Sequence, residues 1–133
     1  MMAQMLPEVE EAVAEVRAAF EGNEVRVTPL GDGGAAVTVE EVDLGGRYEP
    51  RTSFVGFSVH GSYPFSQVYP HFLRHALRKA DGSALPNPGM IAGQQWQGSP
   101  AIMVSRSSNR WDPNRDTAVG KLHKVLEWVR YRA

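Results

Sequence analysis

The chain has 133 residues, 42% hydrophobic and 22% charged, with a net charge of −1: an ordinary globular composition for one domain with one core. It contains no cysteine, which excludes a disulfide scaffold, a thiolate metal site and a cysteine nucleophile. No apolar run is long enough for a membrane-spanning helix. The opening MMAQMLPEVEEAV lacks the basic start and apolar centre of a secretory signal, so a cytoplasmic location is expected.

Residues 6–21 predict a helix. Leu6, Val9, Val13, Val16 and Phe20 recur at spacings of three and four and form one apolar stripe. Pro7 is tolerated in a first turn, Glu8, Glu10 and Glu11 lie near the positive end of the helix dipole, and Gly22-Asn23 provides the stop. Residues 24–30 predict a first strand with Val25 and Val27 on one face. After the turn Gly31-Asp32-Gly33-Gly34, residues 35–44 predict a second strand. That glycine cluster is not followed by the Lys-Ser/Thr of a phosphate loop, and no helix starts there. Gly45-Gly46 turns the chain again.

The third strand, 54–60, leads into the densest stretch of the chain. Val55, Phe57 and Val59 alternate with Gly56, Ser58 and His60; Gly61-Ser62 breaks the pattern; Tyr63-Pro64-Phe65 and Tyr69-Pro70 follow. Each proline fixes its own φ and holds the tyrosine before it extended, which predicts a rigid, aromatic-walled crossing between strands. Residues 71–79 read as strand or short helix; their place after the crossing favours a fourth strand. Residues 81–100, with four glycines and three prolines, predict a long loop, and Met90, Ile91 and Trp96 require it to pack over the body. Ala101–Val104 is a short apolar run. After the turn at Asp112-Pro113-Asn114, a helix is predicted from about Asp116 to Tyr131, capped by Asp116 or Thr117 and buried through Val119, Leu122, Val125, Leu126 and Val129. Strands grouped between two helices indicate an α+β fold.

Charge divides along the chain. Residues 1–50 carry −8, residues 51–105 carry +3 and residues 106–133 carry +4. This is either internal complementarity or two binding surfaces, with solvated helix faces as the favoured reading. His71 and His75 have a spacing used for zinc on a helix, but no third ligand is evident. They are read as surface histidines, with no metal and no cofactor expected.

The strand, the Tyr63-Pro64-Phe65 element, the second proline, Trp111-Asp112-Pro113 and the following helix together resemble the ubiquitin-conjugating domain. The resemblance covers most of the chain. It implies a domain over 1–133 with an N-terminal helix, a four-stranded antiparallel meander, a long loop and a C-terminal helix. In that family a cysteine stands eight residues before the tryptophan; here that position is Met103, a thioether that cannot be deprotonated. The family's Pro-Asn dipeptide corresponds to Pro86-Asn87, sixteen residues before Met103. The first helix of active members tends to be basic, and this one is acidic. The resemblance thus implies a degenerate site at Met103, Asn87 and Trp111 with no catalytic activity. The implied role is an adaptor or cofactor subunit that binds a ubiquitin-like protein or another conjugation component. The related RWD domains, which also carry a Tyr-Pro element and act as general interaction modules, are the alternative. Tyr63, Phe65, Trp96, Trp128, Arg130 and Tyr131 are the candidate partner contacts, since exposed aromatics beside arginine are hot-spot material. A lesser alternative is nucleic-acid binding by the basic, aromatic-interleaved C-terminal segment.

Overall fold

The computed structural model describes residues 4–133, so the first three residues of the expected 1–133 domain lie outside it. Helix α1 (Pro7–Ala19) has Pro7 at its first position, Glu8 and Glu10 in its first turn, and Val9, Ala12, Val13 and Val16 buried. The strands are β1 (Val25–Pro29), β2 (Ala35–Asp43), β3 (Tyr48–Glu49), β4 (Thr52–Val59), β5 (His71–Arg74), β6 (Arg78–Lys79), β7 (Met90–Trp96) and β8 (Ser99–Val104). Helix α2 (Ala118–Tyr131) closes the chain. An N-terminal helix, an antiparallel sheet and a C-terminal helix make the α+β arrangement that the residue pattern predicts.

The main sheet has six antiparallel strands in the order β1-β2-β4-β5-β8-β7, while β3 and β6 pair separately. The meander of β1, β2, β4 and β5 corresponds to the expected strands, but the fourth, expected over 71–79, stays in the main sheet only over 71–74, and 78–79 pair separately with β3. The expectation of a loop over 81–100 is overturned. Only its first part is loop; β7 and β8 extend the sheet beyond β5. Their hairpin turns at Gln97 and Gly98, with φ of 51° and 80°, the left-handed pair that a two-residue hairpin turn needs. A bulge between Ile91 and Gln94, and Pro100 inside β8, break the alternation by which a strand is recognised.

One face of the sheet carries Val37, Val39, Val55, Phe57, Leu73, Ile102 and Val104, which join the buried stripes of both helices in one core. Thr117 caps α2 by accepting from the Gly120 amide at 3.0 Å. Val125, Leu126 and Val129 of α2 pack inward. His71 shares the core face because strand alternation places it beside Leu73. It is 0% exposed, which corrects the reading of a surface histidine, whereas His75 is exposed.

The opposite face has its own small apolar cluster of Ala36, Trp96 and Ala101 with Leu30, Phe54 and Phe72. Trp96 stacks on Phe72 at 5.2 Å between ring centroids and donates to the Thr38 hydroxyl at 2.8 Å. In a flat sheet β2 would lie about 19 Å from β7 across four strand spacings, beyond the reach of an indole. The sheet therefore curls, and the end of the β7–β8 hairpin folds back over this face.

Candidate functional site

The crossing between β4 and β5 is built by short-range bonds and then locked by long-range ones. Tyr63 N–H donates to the His60 carbonyl and Phe65 N–H to the Ser62 carbonyl, while the Ser62 and Ser66 hydroxyls pair at 2.7 Å. The segment between β8 and α2, with the first residue of α2, then binds it at four points. Trp111 Nε1 donates to the Pro64 carbonyl at 2.7 Å; Ser108 N–H donates to Gln67 Oε1 at 2.6 Å; the Tyr69 and Ser105 hydroxyls pair at 2.8 Å; and the Ala118 amide donates to Tyr63 Oη at 3.1 Å. The Tyr63 and Trp111 rings meet at 6.5 Å. Burial pushes the Tyr63 phenol upward in pKa, and the bond from the Ala118 amide opposes this.

Lys121 supports the same segment from below. Its Nζ donates to the Arg106 carbonyl and to Ser108 Oγ, both at 2.6 Å, and burial followed by the nearby Lys124 lowers its pKa. Out of this rigid assembly one large apolar side chain projects into water: Phe65, 79% exposed. Beside it lies a cleft of about 170 Å³ whose lining includes Glu8, Glu11 and Glu15 of α1 together with Tyr63, Pro64 and Arg115.

The predicted site residues therefore separate. Tyr63, Phe65 and Trp111 come together. Met103 does not join them: it lies half-buried within β8, in register between Phe72 of β5 and Ile91 of β7. Asn87 is exposed in the connection before β7. Among the described residues no hydrogen bond links Met103, Asn87 and Trp111. Ser105, near Met103, has its hydroxyl bonded to Tyr69. Trp96 is only 8% exposed and packs on its own sheet, so its indole is not offered to a partner. Trp128 is half-buried under the Arg106 guanidinium, 4.7 Å from its ring centroid. Tyr131 is 71% exposed and stands with Arg130 at the far end of α2. Sequence reasoning missed Gln67, read Tyr69 only as a wall of the crossing and counted Lys121 only among the basic charges, because their roles depend on partners 13 to 41 residues away.

The charged regions neutralise each other only in part, through Asp43 with Arg51 and Glu49 with Arg78. Among the described residues the ion pairs made by Arg and Lys are Arg26 with Glu24 and Glu40, Arg51 with Asp43, Arg78 with Glu49, Lys124 with Asp116, and Arg132 with Glu127. None joins the glutamates of α1 directly to the basic C-terminal segment, although Arg115 of that segment shares the cleft with Glu8, Glu11 and Glu15. Compared with protein-family models, curated proteins and solved structures, the chain matches none.

Proposed function

We propose that this chain is a non-catalytic, ubiquitin-conjugating-like protein that binds a ubiquitin-like protein or another conjugation component as an adaptor or cofactor subunit. One observation supports this most. The two signature elements of the resemblance, Tyr63-Pro64-Phe65 and Trp111-Asp112-Pro113, are joined by the 2.7 Å bond from Trp111 to Pro64, and the junction holds Phe65 out in solvent. An aromatic carried on a backbone already held by hydrogen bonds requires little main-chain ordering when a partner covers it, which suits a binding hot spot. Met103 offers no thiolate, and transthiolation requires one.

A second reading, a general interaction scaffold of RWD type without a ubiquitin-like partner, is favoured by the position of Met103. A residue held mid-strand between two hydrogen-bonded neighbours has the surroundings of a packing residue.

Titration of labelled protein with ubiquitin-like proteins encoded beside it, followed by amide NMR, separates the two readings. Saturable shifts centred on residues 61–70 and 108–114 support the adaptor. Their absence, with every such protein, leaves the scaffold. An oxyester formed on this chain with any activating enzyme would overturn both.

A further inference from the structure

At the end of α2 remote from Tyr63, three guanidinium groups converge on one pocket of about 310 Å³, lined by Asp43, Gly45, Gly46, Arg47, Arg51, Arg130 and Tyr131 along with Leu44. Asp43 is the one carboxylate on its wall, and it is already engaged. It accepts from Arg51 Nε at 2.9 Å, from Arg51 Nη2 at 3.2 Å and from the Gly45 amide at 2.8 Å. The bond from Arg51 holds its carboxyl below the usual range, so it stays ionised and committed. Arg47 and Arg130 are bonded differently. Arg47 donates to the carbonyls of Arg130 and Ala133, and Arg130 donates to the carbonyl of Asp43. Among the described residues neither is paired with a side-chain carboxylate: the lining side chains carry three guanidinium charges against one carboxylate, with the oxygens at the C-terminal end of α2 facing Arg47. The amides of Gly46 and Arg47, both on the pocket wall, donate to no protein acceptor among the described residues. The exposed Tyr131 supplies an aromatic side.

The Nη groups of Arg130, which donate to no protein acceptor among the described residues, the unfilled amides of Gly46 and Arg47 and the surplus of guanidinium charge in one concavity are the chemistry of oxyanion recognition. We propose that this pocket binds a compact oxyanion, a phosphate or carboxylate group. The proposal is independent of the partner reading above.

The test is titration of the full chain with sodium phosphate, acetate and chloride at matched ionic strength, monitored by amide NMR at Gly45, Gly46 and Arg47 and by the Tyr131 ring signals. Saturable shifts with phosphate or acetate and none with chloride are expected. Arg130→Gln, on the solvent side of α2, should weaken the affinity about tenfold, the loss typical of one charge-assisted hydrogen bond. Arg47→Gln gives a second check, with its spectrum establishing that α2 remains folded. Phenyl phosphate binding tighter than phosphate identifies the anion as the end group of a larger ligand against Tyr131; equal binding identifies a free anion. Shifts that drift without saturation and equally in chloride, or that are unchanged in both variants, overturn the proposal.

Discussion

Trp96, at the end of edge strand β7, lies over Gly56 of β4 while its indole nitrogen donates to Thr38 of β2, 58 residues earlier in the chain. The glycine is required by that closeness: a Cβ at position 56 would overlap the indole. That patch of the sheet's second face is thereby covered by the protein's own side chain.

Replacing Gly56 with alanine should destabilise the protein by roughly 1–3 kcal/mol through overpacking. In a Trp96→Leu background the same substitution should cost much less, because the overlapping ring is gone. A double-mutant cycle by urea denaturation checks this, and additive losses would show that the two residues are not coupled.

Trp111→Phe keeps an aromatic ring but removes the donor to Pro64 and part of the indole's bulk. A loss of about 1 kcal/mol in stability is expected, with increased motion of residues 61–70 in NMR relaxation. Phe65→Ala should behave oppositely. Its side chain touches mostly water, so stability should change by no more than about 0.5 kcal/mol, whereas affinity for a partner covering this surface should fall about tenfold or more.

His71 should make stability depend on pH in a defined window. Burial, and then the charge of Lys121 on α2, push its pKa down from 6.5 to about 3, and neither ring nitrogen has a hydrogen-bond partner in the protein. The unfolded chain takes up the proton first as pH falls. Stability is therefore full above pH 6.5 and declines as pH falls from there toward 3. The slope approaches about 1.4 kcal/mol per pH unit. Asp32, Asp43 and Asp81 have lowered pKa values and act on stability from near 3.8 downward, below most of that window. Denaturation of the protein and of His71→Leu between pH 4 and 7 isolates the effect. The variant should lose the slope, and parallel curves would rule the histidine out.

Thr117→Ala removes the hydroxyl that accepts from Gly120 and should cost about 1 kcal/mol, with Thr117→Ser close to neutral. Urea denaturation of the two variants measures the difference.

Local pattern carried much of this architecture. The apolar spacing of Val9, Val13 and Val16, and of Leu122, Val125, Leu126 and Val129, is legible as two helices because each stripe is a repeat within one segment. The alternation of Val55, Phe57 and Val59 shows a strand for the same reason. β7 and β8 were illegible because a bulge, a proline and a hairpin of Gln97 and Gly98 erase period two. What makes them strands is register with β5, and a propensity argument does not contain that pairing.

Composition and order of residues determined by themselves that no thiolate chemistry is available, that two amphipathic helices flank antiparallel strands, and that a rigid aromatic crossing follows β4. Tertiary structure alone decided that His71 is buried and Phe65 exposed, that Trp96 covers its own sheet, and that Arg47, Arg51 and Arg130 share a pocket. The physical reason is common to these cases. Covalent neighbours set backbone preference and periodicity, whereas burial, pairing and charge convergence arise between residues brought together only when the sheet closes on its helices.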